Sequence, residues 1–329
     1  MIISRTPIRI TFLGGGTDYP NYYLKHGGQT LGMAINKYSF ISVNKIDSTS
    51  DYAYKISYRK NENAKSLEEI EHPSVKACLD FMKIKNIEIK YSGSLPARTG
   101  LGSSSSFTVG LLNALYRLKG EIVTPIKLAK DAVYVEQQLI GEMVGCQDQY
   151  TCSIGGLQNI KYFENGKIKI TPLNIEHEKL VNLNSKLMLF YSGIERFSEE
   201  ILNEQVKNTI DGKINNYLNQ TKSLLEEMLE KFSSEENIDF VGEFLDQGWH
   251  LKKKFSSSIT NSMIDEMYFK AKNAGALGGK LLGAGGGGFM LFYVPIEKQD
   301  AVKNALNSYK YIDFEIDSLG SQIIYEDQN

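Results

Sequence analysis

Four consecutive serines, Ser103-Ser104-Ser105-Ser106, follow the turn and glycines of LPARTGLG and run straight into an apolar stretch with helical spacing. Residues Leu95 to Leu112 therefore have the composition of a phosphate cradle. Gly100 and Gly102 let the backbone on either side of Leu101 approach a ligand without side-chain obstruction. The serines sit where the first turn of a helix leaves its N–H groups unpaired, and those donors act together with the positive end of the helix dipole. Taken alone, the stretch equally fits an N-cap cluster that opens an ordinary helix. Two further glycine-rich stretches, Gly14-Gly15-Gly16-Thr17-Asp18 and Gly283 to Gly288, suggest one phosphate-rich site assembled from distant parts of the chain. Moving a phosphoryl group needs a divalent cation, and Mg²⁺ is held by one or two carboxylates or hydroxyls together with phosphate oxygens. Glu136 and Asp148 are the candidate acids, the latter in Gly145-Cys146-Gln147-Asp148-Gln149-Tyr150. Each acid alone also fits a solvated surface.

Two familiar nucleotide motifs are excluded. Gly283-Ala284-Gly285-Gly286-Gly287-Gly288 satisfies GxGxxG, but Phe289 to Val294 behind it has strand character, whereas a dinucleotide fingerprint opens a helix. Gly279-Lys280 fails as a P-loop because Ala274 replaces the first glycine and Leu281 the Ser/Thr that would hold magnesium. Three cysteines, Cys78, Cys146 and Cys152, lack CxxC spacing, which argues against a zinc site or a disulfide framework.

The elements that must position these residues can be drawn from periodicity. Ile2 to Leu13 alternates as a strand and ends in the first glycine turn. Thr30 to Ile46 and Tyr52 to Tyr58 are also strands, with turns at Asn44 to Asp51 and Lys60 to Lys65. A helix over Val75 to Lys83 and a strand over Asn86 to Ser92 lead into the serine loop, and Ser103 to Leu118 forms the helix behind it. Thr124-Pro125 has the form of an N-cap followed by proline at the first helical position, with the helix running to about Gly141. Leu157 to Leu173 is a hairpin turning at Glu164-Asn165-Gly166, followed by a polar stretch through Asn184. Lys186 to Tyr191 is a buried strand, Ser198 to Gly275 is nearly all helical, and a last helix from Glu297 precedes closing strands near Phe314 and Ile323. A chain of 329 residues exceeds the usual size of one core, and the boundary is expected between residues 1–184 and 185–329. Hydrophobic residues at 42%, charged residues at 23% and a formal net charge of -2 give a globular chain with no call for nucleic acid or a membrane as partner. With no membrane-length apolar run and no cleavable leader, the expectation is a soluble cytoplasmic protein.

The motifs together resemble the GHMP small-molecule kinases, over nearly the whole chain. Pro7 to Tyr19 (PIRITFLGGGTDY) looks like the family's first motif, Pro96 to Ser106 like its phosphate loop, and Lys280 to Phe289 like its third motif. The resemblance implies an α+β fold of two domains, an N-terminal mixed sheet with helices and a helix-rich, ferredoxin-like C-terminal domain, with ATP and Mg²⁺ as cofactors. It further implies that Gly100, Leu101, Gly102, Ser103, Ser104, Ser105 and Ser106 wrap the ATP phosphates, and that Ser104 and Glu136 hold the metal. Asp148 is then the base that removes the acceptor's proton, and Arg9 stabilises transferring charge or holds Asp148 ionised. Gly14, Gly15, Gly16, Thr17, Asp18, Gly285, Gly286 and Gly287 fall to the substrate, with Asp18 on its hydroxyls.

Gly15-Gly16 stands where galactokinases carry a glutamate-histidine pair, which argues against galactose. The GGGTD form, with Gly275 to Gly283, is most similar to bacterial D-glycero-D-manno-heptose 7-phosphate kinases, which phosphorylate an anomeric hydroxyl. A sugar phosphate as substrate needs basic groups, for which Arg196 and the run Lys252-Lys253-Lys254 are candidates. An unphosphorylated sugar, as in fucokinase- or galactokinase-like enzymes, is the alternative acceptor, a non-catalytic ATP and sugar sensor is a rival reading, and a homodimer is compatible with the resemblance.

Overall fold

A computed structural model describes residues 1–47, 49–96, 99–194 and 199–327. In chain order the elements are β1 (Ile2–Leu13), α1 (Pro20–His26), β2 (Gly28–Lys45), β3 (Tyr54–Ser57), β4 (Asn61–Ala64), α2 (Pro73–Met82), β5 (Ile87–Gly93), α3 (Ser103–Leu118) and α4 (Pro125–Tyr134). A π-helical turn, Val135–Ile140, extends α4, and α5 (Gln147–Ile154), β6 (Leu157–Tyr162), β7 (Ile168–Pro172), α6 (His177–Ser185) and β8 (Leu187–Tyr191) follow. The remainder is α7 (Glu199–Ile210), α8 (Asn215–Ser234), α9 (Phe240–Lys252), α10 (Ser262–Asn273), β9 (Gly278–Leu281), β10 (Phe289–Tyr293), α11 (Gln299–Ala305), β11 (Lys310–Ile312) and β12 (Gln322–Glu326).

Two sheets carry the fold, as expected of α+β architecture. The first runs β12-β1-β2-β5-β3-β4, with β6 paired to β2 and to β7; the second is the four-stranded β11-β8-β10-β9. β1 is sheltered on both sides from Thr6 to Leu13, so the polar residues of its alternation, Thr6, Arg9 and Thr11, are enclosed along with Ile8, Ile10 and Phe12. Ile8, Ile10 and Phe12 share a core with Leu224, Leu225 and Met228 of α8 and with Leu189 and Leu291 of the second sheet. Ile41, Val43, Ile87 and Ile89 face instead the apolar side of α3, at Val109, Leu111, Leu112 and Leu115. The helix behind the serine loop is thereby fixed to the first sheet, and β1 to both sheets.

Most predicted elements have the expected bounds, α3 and β1 residue for residue. Thr124 caps α4 by accepting from the Lys127 N–H at 3.2 Å, with proline next. Four elements depart from the expectation, two of them for a local reason. Residues Lys60 to Lys65, expected as a turn, hold β4, whose polar sequence conceals a buried alternation at Glu62 and Ala64 and a ladder to β3. The polar stretch before Asn184 contains α6, which fully buries only Leu183 and so shows little periodicity. The short α1 follows the first glycine turn, where no helix is expected from the sequence. β11 ends at Ile312, just short of Phe314. The division expected after residue 184 falls at the end of α6, and the last strand, β12, returns to pair with β1.

Candidate active site

β1 and the serine loop are joined at the centre of the molecule. The Arg9 N–H donates to the Leu101 carbonyl at 3.0 Å, so the loop continues the edge that β1 offers. Gly100 and Gly102 have φ of 85° and 72°, the left-handed region that glycine enters without penalty. Gly102 is the N-cap of α3 and no side chain caps it, so the first-turn N–H groups remain available to an anion. The four serines divide their tasks. Ser104 is exposed and Ser103 half-buried, while Ser105 and Ser106 are buried, Ser106 donating to the Thr6 carbonyl at 3.1 Å.

Arg9 and Asp148 meet beside this loop in a bidentate pair. Nε donates to Oδ1 and Nη2 to Oδ2, each at 2.6 Å, while Nη1 donates to the Gly100 carbonyl at 2.8 Å. The fork ties the acid to the serine loop and fixes its plane through the planar guanidinium. A Cβ on Gly102 would lie 3.1 Å from Asp148 Oδ2 and 3.2 Å from Arg9 Cγ, so the glycine here makes room for the pair. Arg9 is buried, whereas the Asp148 side chain keeps 20% of its surface open. Asp148 stands in the first turn of α5, where a carboxylate is favoured by the helix dipole.

Glu136 lies in the π-helical turn, behind the serines. Its Oε2 accepts from Ser105 Oγ at 2.9 Å and from Gln149 Nε2, while Oε1 is buried without a hydrogen-bond partner among the described residues. Burial raises its pKa to about 7, against the opposing influence of the nearby Thr108, Gln149 and Ser105 side chains. An orphaned, desolvated carboxylate oxygen beside a serine hydroxyl is a hard oxygen donor set that fits Mg²⁺. The described residues contain no group of three metal-ligating side chains, so phosphate oxygens must complete such a site. The serine that touches Glu136 is Ser105; Ser104, expected to share the metal, is exposed.

The first glycine turn is closed by Asp18. This carboxylate is 1% exposed, accepts from Gly16 N at 3.0 Å and Gln147 N at 3.4 Å, and would collide with any Cβ on Gly145. Burial, and secondarily the charge of Asp148, raises its pKa to about 6. Asp18 therefore pins the glycine turn to the start of α5, and its oxygens are occupied by backbone rather than presented to a pocket. Thr17 is likewise internal, its hydroxyl donating to the Gly14 and Gln29 carbonyls. Gly14 presses on the Gln29 carbonyl and Gly16 on Gln205, Leu218 and Phe255; Gly15 alone is open.

The third glycine stretch reaches the site through its first residue. Gly283 abuts Gly100, whose Cα would sit 2.2 Å from an added Cβ, and Gly288 packs on the Thr99 carbonyl. Gly285 is filled against Ile259 and Gly287 against Ile194, and Gly286 N donates to the Ile259 carbonyl at 2.7 Å. These three serve the packing of the loop. Two lysines stitch the loops together: Lys280 Nζ donates to Phe12 O at 2.9 Å, and Lys252 Nζ to Leu281 O at 2.8 Å and Gly283 O at 2.5 Å. Burial and the Arg9 charge push Lys280 down to about 7; burial, then Lys280 and Arg9, push Lys252 well below its ordinary value. Lys252 is thus occupied by carbonyls rather than offered to a substrate phosphate. Lys253 lies over the Trp249 ring near Asp265 and Lys254 is exposed. Arg196 lies outside the described residues. Two residues go unremarked in the sequence reading, Gln149, which holds Glu136, and Gln147, whose side-chain carbonyl accepts from Thr11 Oγ1 at 2.8 Å. The signal was their place on either side of Asp148.

The chain is similar to known proteins in sequence and in fold. The GHMP kinases N terminal domain family matches residues 67–156 and the GHMP kinases C terminal family residues 224–312. The chain is 27% identical over 325 residues to a D-glycero-alpha-D-manno-heptose 7-phosphate kinase of Campylobacter jejuni, covering 94% of this chain and 95% of the relative. It is 25% identical to a galactokinase of Pyrococcus furiosus, over 93% of this chain and 92% of that one. Among solved structures, a D-glycero-D-manno-heptose 1-phosphate kinase from Bacteriodes thetaiotaomicron superposes with a TM-score of 0.80 at 22% identity, covering 99% of this chain and all of the other, a likeness of fold.

Proposed function

This chain belongs to the GHMP kinases and is an ATP-dependent phosphotransferase, and from that premise we propose that it phosphorylates the anomeric hydroxyl of D-glycero-D-manno-heptose 7-phosphate to the 1,7-bisphosphate. The observation that carries the chemistry is the Arg9–Asp148 pair beside the Gly100–Ser106 loop. In this reading the first-turn N–H groups of α3 hold the ATP phosphates. Asp148 accepts the proton of the acceptor hydroxyl through a lone pair not engaged by Arg9, as that oxygen bonds to the γ-phosphorus and the bond to ADP breaks. Arg9 holds the carboxylate in plane, and its charge offsets that developing on the transferred group. Glu136, with the serine hydroxyls, would hold Mg²⁺, which supplies charge neutralisation on the phosphates when bound. Residues 1–184 form the ATP-binding part and 185–329 the remainder, in a cytoplasmic enzyme that feeds a nucleotide-activated heptose into a surface polysaccharide.

The acceptor is chosen on the similarity to the Campylobacter jejuni kinase along its whole length. A second acceptor class, an unphosphorylated sugar, is favoured by one observation, that Lys252 is committed to backbone carbonyls instead of an open phosphate pocket. The test is ADP release with Mg²⁺-ATP and a panel of D-glycero-D-manno-heptose 7-phosphate, the unphosphorylated heptose, galactose, fucose and mevalonate. Turnover of the heptose phosphate alone supports the first acceptor. Turnover of a free sugar keeps the mechanism and replaces the acceptor, and no turnover of any sugar sinks the proposal.

A further inference from the structure

Gly15 is the one residue of the first glycine turn that opens outward. Among the described residues, a single foreign heavy atom lies within 4 Å of a Cβ built on it, Gln147 Nε2 at 3.7 Å. Two contacts and a helix start aim that amide. Thr11 Oγ1 holds its oxygen at 2.8 Å, the Gln147 backbone N–H is tied to Asp18 at 3.4 Å, and α5 begins at Gln147 itself. With the oxygen end engaged, Nε2 is left with no acceptor among the described residues, on a side chain that is only half-buried. The next residue is Asp148, partly open and locked in plane by Arg9. Asp18, the acid expected to touch substrate hydroxyls, is meanwhile buried and bonded to backbone N–H groups.

We infer that Gln147 is a specificity-determining residue, whose amide nitrogen donates to a ring hydroxyl of the acceptor sugar neighbouring the one that Asp148 deprotonates. This rests on the sugar-kinase reading above. A pre-aimed donor loses little entropy on binding and discriminates against a sugar lacking its partner oxygen, because the donor is then desolvated and unpaired. Gly15 contributes by absence, since any side chain there would occupy the space the amide faces. Thr11 is the positioning residue, acting through the Gln147 oxygen.

The test compares wild type, Gln147→Met and Thr11→Val on D-glycero-D-manno-heptose 7-phosphate and its monodeoxy analogues. Wild type should lose about tenfold in kcat/KM on one deoxy analogue, while Gln147→Met loses about tenfold on the parent sugar and does not discriminate at that position. KM for ATP should be unchanged. Thr11→Val should weaken the same discrimination several-fold, and it carries the test if Gln147→Met does not fold. A Gln147→Met enzyme, or a Thr11→Val enzyme standing in for it, that discriminates all deoxy analogues as wild type does overturns the assignment while leaving the kinase intact. A wild type that turns over no sugar overturns both.

Discussion

Glu136→Gln separates the metal role proposed for this carboxylate from its cost. At about 1.36 kcal/mol per pH unit, the rise of its pKa from an ordinary 4.5 to about 7 means that forcing it to ionise costs the folded protein about 3 kcal/mol. The sign follows from proton counting. Below the unfolded value both states are protonated and nothing is lost; between 4.5 and about 7 the unfolded chain releases its proton while the folded one keeps it. Stability therefore falls as pH rises through this window and the full cost applies above it. Glutamine does not titrate, and its carbonyl can still accept from Ser105 and Gln149. Urea unfolding without Mg²⁺, at about pH 4 and about pH 8, should show wild type losing about 3 kcal/mol more than Glu136→Gln between the two. Asp18, whose pKa also rises to about 6, contributes equally to both proteins and cancels. Adding MgCl₂ with a non-hydrolysable ATP analogue at pH 8 should stabilise wild type and leave the variant with the nucleotide's share alone. Parallel pH profiles for the two proteins would refute the argument, because Glu136 would then be ionised at no cost and could not be the desolvated donor described.

Two further outcomes follow from the geometry. Asp148→Asn keeps the shape of the site but removes the proposed base, and should lower kcat by about a hundred- to ten-thousand-fold with KM for ATP little changed, measured by ADP release; near-normal turnover would remove Asp148 from the chemistry. Gly283→Ala places a Cβ 2.2 Å from the Gly100 Cα at a φ of 70°, so the phosphate loop must move. Its KM for ATP should rise at least about tenfold, with a loss of about 1–3 kcal/mol in unfolding free energy.

What the sequence determined by itself was local. The bounds of β1 and α3, the Thr124-Pro125 helix start and the Asn165-Gly166 turn follow from periodicity, capping and turn chemistry, which act over a few residues. The three glycine stretches and the acids Glu136 and Asp148 were visible as chemistry because their residue types are restricted by the task. Their mutual placement was decided by the tertiary structure. Arg9 and Asp148 are 139 residues apart and meet only because the Arg9 N–H bonds to Leu101 in the serine loop and because α3 and α5 pack beside β1. Burial redistributed the polar roles in ways no spacing reports. Asp18 turned inward to hold the glycine turn, Lys252 and Lys280 went to backbone carbonyls, Ser105 rather than Ser104 met Glu136, and Gln147 was left with an unpaired amide at the open glycine. Which polar group faces a ligand depends on which of its neighbours already satisfy it. That accounting closes only when all the long-range contacts are in place.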